Sequence, residues 1–153
     1  MVTELKKGIY WVGVVDWALT HFHGHELATP RGSTYNSFLI VDKKIALVDT
    51  VWEPFRNQFM ENLRKVVDPS KIDYIITNHA EVDHSGGLPD VVREAPDAEI
   101  VVSRKGRESV EGYYHQDWNF RTVKTGDTLS LGSEELLFFD ASMLHWPTQC
   151  SRT

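Results

Sequence analysis

The passage from the apolar run Ile72–Ile76 into Thr77-Asn78-His79-Ala80-Glu81-Val82-Asp83-His84-Ser85-Gly86-Gly87 constrains this chain more than any other stretch. A short apolar run bounded by polar residues reads as a buried strand. His79, Glu81, Asp83 and His84 then follow within six residues, so four side chains able to bind metal leave the end of that strand together. In an extended segment, residues two apart point the same way, which predicts that His79, Glu81 and Asp83 converge while His84 turns to the other side, towards a second ion. Two imidazoles and two carboxylates suit iron, manganese or zinc, and the lack of thiolates argues against a closed structural zinc site. Ser85-Gly86-Gly87 predicts a tight turn before a helix. The competing reading is an acidic, histidine-bearing surface loop, which four donors in so short a span disfavour.

The rest of the chain supplies a layered frame for this loop. Gly8–Val15, Thr34–Val41 and Lys44–Val48 are β-branched or aromatic and read as strands, the last two joined as a hairpin through Asp42-Lys43. Phe55, Phe59, Leu63, Val66 and Val67 recur at helical period within Glu53–Val67, which stops at Asp68-Pro69. Lys71–Thr77 is the strand feeding the loop, and Leu88–Ala95 a helix ended by Pro96. Glu99–Ser103 reads as a strand, Lys105–Tyr114 as a helix, and Phe120–Val123, Thr128–Leu131 and Leu136–Asp140 as short strands. Strand and helix alternate in the middle and hairpins flank them, which predicts an α/β fold with a mixed sheet covered by helices on one face.

Composition excludes several functions. With 41% hydrophobic and 25% charged residues in 153, the chain suits one soluble domain, and no apolar run approaches a membrane span. Asp and Glu number 22 against 16 Lys and Arg, a net charge of −6 without a basic stripe, so nucleic acid is not an expected partner. Met1–Lys7 is polar, unlike a secretory signal, which makes cytoplasmic residence the expectation. The lone Cys150 excludes an internal disulfide. His21, His23 and His25 alternate in the loop Asp16–Ser33, where polar residues of a long loop are a simpler reading than direct metal ligation. Asp49, at the end of Leu47-Val48-Asp49-Thr50, reads more readily as a cap of the following turn than as a ligand.

The hexapeptide His79-Ala80-Glu81-Val82-Asp83-His84 resembles the metal motif of the metallo-β-lactamase superfamily, with Glu81 where most members carry His, as in the flavodiiron proteins of the flavorubredoxin and rubredoxin:oxygen oxidoreductase type. Asp16-Trp17, Phe22-His23-Gly24, Gly32-Ser33-Thr34-Tyr35-Asn36-Ser37, Leu47-Val48-Asp49-Thr50, Val123-Lys124-Thr125-Gly126-Asp127 and Leu144-His145-Trp146-Pro147 extend the resemblance over residues 8–147. It implies a metallo-β-lactamase-like αββα sandwich of which residues 1–147 hold the first half. It also implies two iron ions. The first would be held by His79, Glu81 and His145; the second would use Asp83, with His84 a ligand or close beside it. His23 and His25 would overhang the pocket without binding iron directly, a Tyr often standing where this chain has His25, and Asp49 would be structural.

By the same resemblance the substrate is O2, reduced to water, or NO, reduced to N2O, with electrons delivered through FMN from a rubredoxin-like or flavin donor in a head-to-tail homo-oligomer. A hydrolase of the superfamily and a non-catalytic metal-binding remnant are the alternatives. After Pro147 the family pattern continues Asp-Ser-Met-Phe-Thr-Tyr, whereas this chain reads Thr148-Gln149-Cys150-Ser151-Arg152-Thr153. Loss of one G from CCG GAC TCA ATG TTC ACG TAC converts the first string into the second, so residues 148–153 are expected to be a frame-shifted tail. The bridging Asp, the last His ligand and the FMN domain of the family lie beyond residue 147, which predicts an impaired enzyme. A missing second sheet would further expose parts of Ile75, Val101 and Leu137. Sequencing the DNA downstream of the Thr153 codon checks the frame shift: the family sequence should resume in the other frame, and its absence there would refute the idea.

Overall fold

Alternation along consecutive strands builds the centre of the structure. The computed structural model of the protein describes residues 1–22, 27–141 and 150–152. A seven-stranded mixed sheet runs in the order β1 (Thr3–Lys6), β2 (Ile9–Trp11), β7 (Phe38–Val41), β8 (Ile45–Val48), β9 (Tyr74–Ile76), β10 (Glu99–Ser103), β11 (Phe120–Val123). The first four are antiparallel neighbours, and β8, β9, β10 and β11 pair in parallel. Leu39, Leu47, Ile75 and Ile100 face one side, packing with Phe59, Met60 and Leu63 of α1 (Arg56–Arg64), Leu88 and Val91 of α3 (Leu88–Glu94), and Val110 of α4 (Arg104–Tyr114). Their neighbours Ile40, Ala46, Val48, Ile76 and Val101 face the other. Each fully buried Leu, Ile or Phe among them contributes about 1.5–3 kcal/mol.

That second face is not bare. Residues of β12 (Thr128–Ser130) and β13 (Glu135–Asp140), with Leu131, lay Leu129, Leu131, Leu136 and Phe138 over it. β14 (Cys150–Arg152) adds a third strand, with the backbone of Asp140 opposite Cys150. Ile75 and Val101 are therefore fully buried, which overturns the exposure expected for them, and Leu137 is half-buried. The C-terminal hairpin folds across the second face as the start of another layer, a long-range contact that strand periodicity does not encode.

Two expected strands are divided. Gly8–Val15 splits into β2 and β3 (Val14–Asp16), and Thr34–Val41 into β6 (Ser33–Tyr35) and β7, with β3 and β6 forming their own ladder. The chain bends away at Gly13, where a Cβ would lie 2.2 Å from the Tyr35 carbonyl oxygen, so only glycine permits the approach. The loop between β3 and β6 contains a small hairpin of β4 (His21–Phe22) and β5 (Leu27–Ala28).

One carboxylate ties the two layers together. Asp42, in the β7–β8 turn, accepts hydrogen bonds from the Ser133 amide (2.7 Å), the Ser133 hydroxyl (2.9 Å), the Glu134 amide (2.8 Å) and the Lys43 amide (2.8 Å). The Glu134 amide is the largest of the influences that hold its carboxyl down at about 2, followed by a smaller opposing effect of burial and then by Ser133 and Lys43. A depressed carboxyl contributes stability above about pH 4 and loses it as pH falls through about 2. Asp42→Ala should therefore lower the thermal midpoint by a few degrees near neutral pH. The gap from the parent chain should narrow as the pH is taken from about 4 towards 2, which melts followed by circular dichroism across that range will check.

Candidate metal centre

Parallel pairing positions the loop that carries the candidate ligands. Val48 lies opposite Ile76, so the chain leaves β8 and β9 side by side. The Asp49 amide donates to the Ile76 carbonyl (2.8 Å), and the Thr77 amide to that of Val101 (3.0 Å). Asp49 adopts a left-handed backbone, φ 51°, one of the few conformations outside glycine that Asp and Asn tolerate. This aims its carboxylate at the next strand. Oδ1 accepts from the Asn78 amide (2.8 Å) and Oδ2 from the Asn78 side-chain nitrogen (3.0 Å), so Asn78 is gripped twice immediately before His79.

The loop is not extended throughout, and the expected alternation stops at its midpoint. Glu81 is extended (φ −61°, ψ 149°), but α2 (Val82–Ser85) begins directly after it. Asp83 and His84 therefore follow helical geometry instead of alternating. His84 does not turn away: its ring lies 5.2 Å from that of His79, edge to face. The donors fall into two pairs, His79 Nε2 with Glu81 Oε2 at 3.0 Å, and His84 Nε2 with Asp83 Oδ2 at 3.7 Å. Among the described residues no three His, Cys, Asp or Glu side chains already converge as a metal-holding group. His23, His25 and His145 lie outside the described residues.

His79 is 4% exposed, whereas Glu81, Asp83 and His84 are half-buried, so the group opens to one side. Asp49 Oδ2 lies 3.5 Å from His84 Nδ1, too far for a good hydrogen bond yet close enough to act as a charge, and leaves Nε2 facing Asp83. Burial pushes the His84 pKa down, but Asp49, Asp83 and Glu81 outweigh it and hold the group above its ordinary value. His84 Nδ1 and Asn78 Oδ1 are the buried side-chain atoms without a hydrogen-bond partner among the described residues. Asp49 thus braces Asn78 and His84 across the strands, where a cap of its own following turn was expected.

Three residues act as supports, a role that the sequence did not assign to them: Thr50, Ser85 and Tyr114. The Thr50 amide (2.7 Å) and hydroxyl (2.8 Å) both donate to the His84 carbonyl, and Thr50 Oγ1 accepts from the Gly87 amide (3.1 Å). Ser85, 1% exposed, places its hydroxyl 3.0 Å from the carbonyls of Ala80 and Glu81 and 3.0 Å from the Tyr114 hydroxyl. Burial is the main cause that raises the Tyr114 pKa, which keeps its hydroxyl protonated. The glycines that follow make the expected turn between α2 and α3, but not through left-handed backbone. Gly86 and Gly87 both have ordinary right-handed helical backbone. A Cβ at Gly86 would lie 2.4 Å from the Glu53 amide nitrogen and 2.7 Å from the Val82 carbonyl oxygen, so close packing is what demands glycine there.

This architecture and loop have clear counterparts. Residues 34–152 match the model of the "ODP family beta lactamase", and the chain belongs to that family. Within it, the relatives are flavodiiron proteins and their kin. The chain is 48% identical over 144 residues to a nitric oxide reductase of Moorella thermoacetica, covering 94% of this chain and 36% of that protein. It is 48% identical over 145 residues to the anaerobic nitric oxide reductase flavorubredoxin of Salmonella arizonae, 94% of this chain and 30% of that one. Among solved structures, rubredoxin oxygen:oxidoreductase from Desulfovibrio gigas superposes with a TM-score of 0.94 at 37% identity, over 99% of this chain and 38% of that chain. The flavodiiron protein from Giardia intestinalis gives 0.92 at 33%, over 99% and 37%. The chain thus spans between 30% and 38% of the length of these four proteins. No helix among the described residues is long and apolar enough to cross a membrane.

Gly86→Ala must push apart the α2 turn and the segment at Glu53, which should cost about 1–3 kcal/mol. Urea denaturation measures this directly, and an unchanged midpoint would show that the contact yields without strain.

Proposed function

We propose that this chain is the iron-binding portion of a flavodiiron oxidoreductase that reduces NO to N2O, O2 to water, or both. The observation that carries the reading is the pairing of His79 Nε2 with Glu81 Oε2 at 3.0 Å. Two donors bound to one ion at about 2.1 Å and at right angles stand about 3 Å apart, so the pair fits adjacent coordination positions on a single metal. Asp83 and His84 fit a second ion beside it, with Asp49 orienting the His84 ring as outer carboxylates do for metal-bound imidazoles. His145 is assigned as the third ligand of the first ion. His23 and His25 are assigned to the pocket rim.

Two iron ions at this site would supply paired electrons to a bound gas. The residues of the chain have separate tasks. Buried His79 anchors the site, and Glu81 contributes a hard anionic oxygen where a second imidazole would favour zinc, which suits iron that must change oxidation state. The half-exposed side of Glu81, Asp83 and His84 leaves an approach for a small ligand. The names of the Moorella and Salmonella relatives favour NO, and that of the Desulfovibrio structure O2. FMN, the electron donor, the remaining ligands of the second ion and the contacts of a homo-oligomer are assigned to the length of those relatives that this chain does not span, and residues 148–153 to a frame-shifted tail. Residence in the cytoplasm is part of the same proposal.

Anaerobic loading with ferrous iron tests the reading. The chain should retain iron through gel filtration, and His79→Ala or Glu81→Ala should weaken binding by at least about tenfold, as first-contact ligands must exceed the effect of outer ones. Retention of zinc alone, with cleavage of a thioester or phosphodiester reporter, would favour a hydrolase; failure to retain either metal would leave a non-catalytic remnant.

A further inference from the structure

We infer that Tyr114, acting through Ser85, is a positioning residue that sets the Glu81 carboxylate against His79. The inference rests on the reading of Glu81 as a metal ligand. Its geometry stands independently.

The starting point is a proline. Ser85 ends α2, and the residue four further on, whose amide would ordinarily bond the Ser85 carbonyl, is Pro89, which has no N–H. The Ser85 side chain is almost wholly buried, and a carbonyl in such surroundings needs a donor. Tyr114, at the last position of α4, provides it: its hydroxyl donates to the Ser85 carbonyl at 2.7 Å. The same hydroxyl lies 3.0 Å from Ser85 Oγ. Ser85 Oγ in turn lies 3.0 Å from both the Ala80 and the Glu81 carbonyl oxygens.

Two hydroxyl protons thus serve a closed network. With the Tyr114 proton directed to the Ser85 carbonyl, the Ser85 proton is free to bridge the carbonyls of Ala80 and Glu81. The Glu81 carbonyl also receives the amides of His84 and Ser85, both at 2.9 Å. These contacts hold the Glu81 backbone in the extended conformation that precedes α2, and that conformation fixes the direction in which its side chain leaves. Removal of the Tyr114 hydroxyl strands the Ser85 carbonyl and sends the Ser85 proton to compete for it, which loosens Glu81 without touching any metal donor. The distant C-terminus of α4 therefore controls the donor pair.

Tyr114→Phe, Ser85→Ala and Ser85→Thr test this, with Tyr113→Phe as a control that keeps the exposed ring in its edge-to-face contact with Tyr114, centroids 4.8 Å apart, and removes only its hydroxyl. Two readouts are needed. In the metal-free chain, nitrogen-15 NMR of the His79 ring reports its contact with Glu81, and Tyr114→Phe and Ser85→Ala should shift it while Ser85→Thr and Tyr113→Phe leave it near the parent position. In titrations with Co(II), the first two variants should bind about tenfold more weakly and alter the visible absorption bands, with Ser85→Thr restoring both. Unchanged His79 resonances in Tyr114→Phe would overturn the inference, as would a variant that only melts earlier with the same ring shifts and cobalt spectrum. Absence of cobalt binding by the parent chain would count against the metal reading alone, because the metal-free NMR still decides whether Tyr114 positions Glu81.

Discussion

Everything at the candidate centre depends on the parallel pairing of β8 with β9 and on what it does to one carboxylate. Because Val48 stands opposite Ile76, both strands deliver their next residues to the same edge, and Asp49 emerges beside Asn78. A buried polar side chain needs hydrogen-bond partners to offset the water it has lost. Asp49 takes two hydrogen bonds from one neighbour and makes a third contact to His84. The left-handed backbone at Asp49 is the local strain that makes the arrangement possible.

The sheet explains why the polar group can exist at all. Its central strands are buried on both faces, by helices on one side and by the β12–β13 hairpin on the other, so no donor can be mounted along their length without entering an apolar core. Only the strand ends are open. Donors gathered there are held by backbone and hydroxyl contacts from separate parts of the chain: Thr50 after β8, Ser85 in α2 and Tyr114 at the end of α4. A site braced from several directions keeps its geometry better than a free loop would, which is what close spacing of metal donors demands.

Membership of the ODP family and the overlap with flavodiiron structures agree with this arrangement of strands and loop. The hydrolase and reductase readings share a fold, so the fold cannot separate them. The proposed reductase reading leans instead on the chemical character of the partner to His79, a carboxylate oxygen at 3.0 Å.

Much of this was legible in the residues themselves. The β9 strand, the α3 and α4 helices, the Asp42-Lys43 hairpin and the cluster of four donors follow from short-range periodicity and residue chemistry, because local patterns reflect local geometry. The division of strands at Gly13, the second layer over Ile75 and Val101, and the turn of His84 towards His79 were not legible. Each depends on residues far apart in the chain: Tyr35 crowding Gly13, Phe138 and Leu129 reaching across the sheet, and Asp49 and Thr50 holding a helical turn where extended backbone was expected. Sequence alone set which candidate donors stand together, His79, Glu81, Asp83 and His84; tertiary packing alone decided how they pair, since direction in space is set by contacts that neighbours in sequence do not make.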